Sequence, residues 1–178
     1  PTFKEDQWAA YKKVNGIFAQ QILEEIAAVE QPIILIQDYH FALLPRMIKK
    51  SRPDARIGLF WHVPWPNEES FSICPWRKEI LDGMLGADVI GFNTRQFCNH
   101  FMDTVSSEVE SLIDWEQFSV IRSGHRTYVM PFGISIPFTD GRGVAGDKNA
   151  TESVLRKLRI NSSHVALGVD RLDYAKGL

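Results

Sequence analysis

Three short apolar runs recur along this chain, Ile33–Ile36, Arg56–Trp61 and Asp88–Phe92, separated by stretches with helical apolar spacing. Runs of this length, rich in β-branched and aromatic residues, read as buried strands. Strands that alternate with helices are joined by right-handed crossovers, which makes the sheet parallel. The alternation restricts the chain to an α/β fold: a Rossmann-like parallel sheet with flanking helices. It also says where chemistry belongs, because open α/β sheets bind ligands outside the carboxyl ends of their strands.

The intervening elements follow from spacing and caps. Apolar residues at Trp8, Tyr11, Phe18, Ile22, Ile26 and Val29, with Val14 in the one gap, predict an amphipathic helix capped by Asp6 and ended by Pro32. Phe41–Lys50 and Trp76–Leu85 predict two more, the second closed by Gly86 as a left-handed C-cap. A proline-rich loop follows the second strand. Asn93 or Thr94 caps a helix running to about Val105. Phe118–Arg122 and Thr127–Met130 flank Ser123-Gly124-His125-Arg126 and predict a hairpin. Thr139–Asn149 is rich in Gly and Asp and predicts a linker. A short helix near Thr151–Leu158 and a strand at Val165–Asp170 then open a second α/β unit. Pro1 is not an initiator Met and nothing covers the last strand, so a piece of a longer polypeptide is expected.

Composition removes several classes of function. The 178 residues carry a net charge of −2 with no basic stripe, which argues against nucleic acid. No apolar run reaches the ~20 residues of a membrane helix, and no signal peptide opens the chain. Cys74 and Cys98 have neither metal-ligand spacing nor disulfide density, which suits a reducing cytoplasm. The open sheet edge leaves room for a homo-oligomer.

Chemistry-bearing residues gather at strand ends. Asp38-Tyr39-His40 follows the first strand and His62-Val-Pro-Trp-Pro66 the second. Neighbouring parallel strands would bring Asp38 and His62 to one edge, about 5 Å apart in strand spacing. A carboxylate and an imidazole there suit sugar hydroxyls or proton handling. Taken singly, Asp38 reads equally as a helix cap and His62 as a satisfied core histidine. Trp61, Trp65, Trp76, Phe60 and Phe71 are dense enough to be core, though aromatic faces also pack on pyranose rings. No helical His pair or Cys cluster accompanies His40, His62 and Asp38, so no metal is expected. Gly133, in Pro131-Phe-Gly-Ile134, offers a backbone contact or a plain turn. At the far end, Arg171 and Lys176 follow the last strand. A planar fork and a mobile ammonium can grip adjacent phosphates, although an isolated pair of this kind is more often solvated surface charge.

Asp38-Tyr39-His40, His62-Val-Pro-Trp-Pro66, Leu85-Gly-Ala-Asp-Val-Ile-Gly-Phe92, Pro131-Phe-Gly-Ile134 and Asp170-Arg-Leu-Asp-Tyr-Ala-Lys-Gly177, in this order, closely resemble the trehalose-6-phosphate synthases. That resemblance implies a retaining glycosyltransferase with two Rossmann-like domains of the GT-B type. The implied reaction moves glucose from UDP-glucose to glucose 6-phosphate, with no metal or other cofactor. It implies that residues 1–138 are the carboxyl half of the acceptor-side domain, 139–150 the linker and 151–178 the start of the nucleotide-sugar domain. By position, Asp38 resembles the acceptor-side carboxylate, with Tyr39 beside it, and His62 the active-site histidine near the transferred glucose. Arg171 and Lys176 resemble the cations on the UDP diphosphate. Gln37 departs from the pattern, standing where the family often carries His. Two other readings stay open: a sister glucosyltransferase of the glucosylglycerol-phosphate synthase type, and a non-catalytic subunit that binds sugar phosphate.

Overall fold

A computed structural model describes residues 2–135, 148–162, 164–166 and 168. The chain divides into two compact units, Pro1–Ser135 and Ile136–Leu178. In the first, a six-stranded sheet has the order β1 (Ile33–Gln37), β2 (Arg56–Trp61), β3 (Val89–Phe92), β6 (His125–Pro131), β5 (Ser119–Arg122), β4 (Leu112–Asp114). The first four of these are parallel, and β5 and β4 are antiparallel additions. Helices α1 (Glu5–Glu25), α2 (Leu44–Ser51), α3 (Glu68–Ser72), α4 (Arg77–Met84) and α5 (Arg95–Glu108) complete the unit. In the second unit the described element is α6, Lys148–Lys157. Of the expected strand at Val165–Asp170, Val165, Ala166 and Gly168 are described and are not in a strand, and the other three residues fall outside the described residues, as does most of the expected linker.

Strand register sorts the side chains into two faces. Ile36, Leu59, Ile90 and Val129 form one row across the four parallel strands, each at most 4% exposed. They join Leu44, Ile48, Leu81, Met84, Phe101 and Met102 from the helices in a single core. Alternation sends Leu35, Gly58, Val89 and Tyr128 to the other face. There Leu35 is 76% exposed, so the reading of β1 as a fully buried strand is corrected. Among the described residues only one face of the sheet is covered. That open face holds an apolar depression of about 620 Å³ lined by residues including Leu35, Gly58, Phe60 and Phe132.

Several local expectations are also corrected. The cap of α1 is Lys4, and Asp6 lies inside the first turn, where a carboxylate favours the helix dipole. The buried stripe of α1 runs through Trp8, Asn15 and Ala19, while Val14 and Phe18 are exposed. Asn15 is admitted to the interior because its amide donates to the Tyr11 and His40 carbonyls, at 3.0 and 3.1 Å. The segment after β1 opens as one 3₁₀ turn, Tyr39–Phe41, before Pro45 starts α2 in its first turn.

Gly86 is not a left-handed cap: Gly124 is the described glycine with positive φ. A Cβ on Gly86 would lie 2.3 Å from the Arg46 nitrogen, so the glycine lets the end of α4 meet the backbone of α2. The hairpin turn is two residues rather than four, since Arg122 pairs with His125. Ser123 and Gly124, with φ of 51° and 77°, match the twist of the flanking strands. No long apolar helix able to cross a membrane occurs among the described residues.

Candidate active site

Parallel pairing delivers four chain segments to one edge of the sheet: Asp38 after β1, His62 after β2, Asn93 after β3 and Gly133 after β6. The ladder runs to the lip of this edge, with the Asp38 N–H donating to the Phe60 carbonyl at 2.7 Å and the Phe132 N–H to the Phe92 carbonyl at 2.7 Å. The strand ends are therefore rigidly spaced where the side chains begin.

Asp38 caps the 3₁₀ turn, its Oδ1 accepting the Tyr39 N–H at 2.9 Å. The same oxygen accepts the main-chain N–H of His62 at 3.2 Å. The cap expected from the sequence is thus present, and the same carboxylate oxygen also cross-links β1 to the loop after β2. Its Oδ2 has no hydrogen-bond partner among the described residues. Asp38 holds this position at φ 66° and ψ 176°, a region almost reserved for glycine. Such strain persists only where surrounding contacts enforce it, and it gathers at sites that bind or react.

His62 is exposed and is gripped from three sides. Asp38 holds its N–H, and the Asn93 side-chain amide donates to its carbonyl at 2.9 Å. Its Nε2 lies 2.7 Å from Gln37 Oε1. The Phe60 ring packs edge-on against the imidazole with centroids 4.6 Å apart. The satisfied-core reading of His62 is therefore set aside: the histidine is partnered, but at an open edge.

Tyr39 is 47% exposed, stacked on His40 at 4.0 Å between centroids and edge-on to Trp61 at 6.4 Å. Its carbonyl accepts the Tyr11 hydroxyl at 2.6 Å, and that hydroxyl accepts the Ala42 N–H at 3.0 Å. Burial raises the Tyr11 phenol above its ordinary value, which keeps it a neutral donor. Together with Asn15 it straps α1 to the Asp38–Ala42 turn. Gly133 lies beside the same edge, where an added Cβ would meet the Asn93 carbonyl at 3.9 Å, an ordinary contact.

The aromatic residues near His62 divide by role. Trp65 is 1% exposed, donates to the Thr104 hydroxyl at 3.1 Å and packs on Phe71 and Phe101, which makes it core. Trp76 stacks on Trp8 at 4.9 Å, away from the imidazole. Phe60 alone among the five aromatic residues singled out in the sequence has a ring contact with His62. The Leu85–Phe92 motif is architectural as well. Asp88 takes both oxygens to Lys49 Nζ, at 2.9 and 2.8 Å, and accepts the Ile57 N–H at 2.7 Å, which locks β3 against β2 and α2.

Asp38, Tyr39, His62 and Gly133 thus share one edge, whereas Arg171 and Lys176 lie outside the described residues. Sequence reading missed Gln37 and Asn93 as site residues. The alternation of β1 could have flagged Gln37, which sits opposite Phe60 on the face His62 also takes. Among the described residues no group of three or more His, Cys, Asp or Glu is gathered in metal-binding fashion.

The sequence model of Glycosyltransferase family 20 matches residues 1–178. A trehalose-6-phosphate synthase of Mycolicibacterium smegmatis is 36% identical over 100% of the chain, which covers 37% of that protein. An alpha,alpha-trehalose-phosphate synthase (UDP-forming) of Candida albicans is 34% identical over 99% of the chain and is likewise covered to 37%. Among solved structures, a UDP-forming alpha,alpha-trehalose-phosphate synthase from Burkholderia xenovorans superposes with a TM-score of 0.79 at 28% identity, over 99% of this chain and 39% of that one. An E. coli structure described as bound with UDP-2-fluoro glucose gives a TM-score of 0.70 at 27% identity, over 89% of this chain and 35% of that one. The chain thus spans little more than a third of the length of these relatives.

Proposed function

The chain belongs to glycosyltransferase family 20, and from that membership we propose that it is part of an α,α-trehalose-6-phosphate synthase. The reaction transfers glucose from UDP-glucose to glucose 6-phosphate with retention at the anomeric carbon. The bond between that carbon and the diphosphate oxygen breaks, a bond to the acceptor hydroxyl forms, and the hydroxyl proton passes to the leaving diphosphate. Products are α,α-trehalose 6-phosphate and UDP. We assign the protein to the cytoplasm, in keeping with free Cys74 and Cys98.

The observation that carries this reading is the triple grip on His62 beside the strained Asp38 at the carboxyl edge of a parallel sheet. A fixed imidazole and a carboxylate oxygen left without a partner can each receive sugar hydroxyls without reorganising. Asp38 is assigned to the acceptor side, with Tyr39 adjoining it, and Gly133 supplies backbone contact to the sugar. Arg171 and Lys176 are assigned to the diphosphate, where negative charge grows as the glycosidic bond breaks. Fixed cations there stabilise the transition state more than the ground state.

The test is an assay of the complete protein with UDP-glucose or ADP-glucose as donor and glucose 6-phosphate or glycerol 3-phosphate as acceptor. Transfer from UDP-glucose to glucose 6-phosphate is expected to dominate. Arg171→Ala and Lys176→Ala are each expected to lower it by about a hundredfold. Preference for glycerol 3-phosphate, or near-normal rates in both variants, overturns the corresponding assignment.

A further inference from the structure

Main-chain contacts from Asp38 and Asn93 fix where His62 sits but leave its ring free to rotate about the bond from Cβ to Cγ. The contact that sets the ring is the 2.7 Å approach of His62 Nε2 to Gln37 Oε1. An amide oxygen can only accept a hydrogen bond, so the ring nitrogen facing it must carry the proton. The opposite nitrogen, Nδ1, is then the lone-pair acceptor of the neutral imidazole.

We infer that Gln37 is a positioning residue for His62: its amide oxygen holds the Nε2–H tautomer and turns Nδ1 toward the site as an acceptor for a sugar hydroxyl. The inference rests on the proposed role of His62 beside the transferred glucose, and Gln37 itself touches no substrate in that scheme.

The fold explains why this residue reaches. Gln37 ends β1 directly opposite Phe60 in the register. His62 stands two residues beyond Phe60, so alternation returns it to the same face of the sheet. Adjacent parallel strands lie about 5 Å apart, which one glutamine side chain spans. The choice of an amide is chemically specific. A carboxylate would also accept the Nε2–H but would add charge beside a ring that serves as a neutral acceptor. An imidazole in the same place would set a second titratable ring beside His62, which an amide does not. Glutamine orders the ring and keeps the pair neutral. Phe60, packed edge-on against the imidazole, closes one side to rotation.

The experiment compares Gln37→Leu and Gln37→Glu with the wild type in the complete protein, with thermal unfolding confirming the fold of each variant. Nitrogen-15 NMR of the His62 ring, at about pH 8, is expected to show a protonated Nε2 and an unprotonated Nδ1. In Gln37→Leu the ring signals are expected to move toward a tautomer mixture. The same variant should lower kcat by about fivefold, the worth of one ordinary hydrogen bond, with KM for UDP-glucose nearly unchanged. Gln37→Glu keeps the acceptor and should keep the Nε2–H tautomer, with a loss of kcat, from the added charge, smaller than that of Gln37→Leu. A protonated Nδ1 in the wild type, unchanged ring signals in Gln37→Leu, or equal losses in the Leu and Glu variants overturns the inference. If the wild type shows no transfer from UDP-glucose, the functional proposal fails by itself. The ring signals then still decide whether Gln37 governs His62.

Discussion

Asp38 and His62 are joined by a 3.2 Å hydrogen bond from the His62 main-chain N–H to Asp38 Oδ1, and Asp38 makes it from φ 66° and ψ 176°. The bond ties the end of β1 to the loop after β2, and the backbone conformation is the cost of making it. Glycine accepts that conformation freely, whereas a residue with a Cβ does not.

Two substitutions separate the strain from the carboxylate. Asp38→Gly and Asp38→Ala both remove the side-chain oxygens, and both are expected to abolish most transfer activity. Only the glycine relaxes the backbone. Urea unfolding should therefore find Asp38→Gly more stable than Asp38→Ala by about 1 kcal/mol or more. Equal stability of the two would mean that Asp38 stores no strain.

Gly86 offers a sharp contrast between two roles for a glycine. As a left-handed C-cap it would tolerate asparagine, which also visits that conformation. As a point of helix contact, with Arg46 backbone atoms 2.3 and 2.4 Å from an added Cβ, it tolerates neither asparagine nor alanine. Gly86→Ala and Gly86→Asn are each expected to destabilise the first unit by about 2–3 kcal/mol. A mild effect of asparagine alone, read in denaturant midpoints, would restore the cap.

Cys98 supplies a pH signature. Burial raises its thiol from an ordinary 9.0 to about 11. The unfolded chain therefore loses this proton at lower pH than the folded one does. Stability contributed by the buried thiol is complete below about pH 9 and declines as pH rises toward 11. The decline measured in wild type should be shallower in Cys98→Ala. At neutral pH an alkylating reagent should label the half-buried Cys74 and leave Cys98, fully buried, untouched until unfolding. Equal labelling of both thiols in the folded protein contradicts this placement.

The sequence alone determined the three parallel strands that alternate with helices, the hairpin after them, and the strand ends that carry Asp38 and His62, whereas the strand order and the short β4 came from the tertiary structure. The former features depend on periodicity within a few residues: a β-branched run makes a strand, and an alternating helix returns the chain in the same direction. The family resemblance followed from motifs of the same short range. Tertiary structure decided which member of each motif faces which neighbour. Asn15 enters the core because the His40 carbonyl lies across from it, and Val14 stays outside although it is the more apolar residue. Gly86 is spared a side chain because α2 passes beside it, and Gln37 gains a role because His62 stands on the next strand. Each of these depends on partners roughly 25 to 40 residues away in the chain, brought together only when helices and strands pack. Local pattern can name the elements, but which polar group is satisfied by which other one is settled by packing.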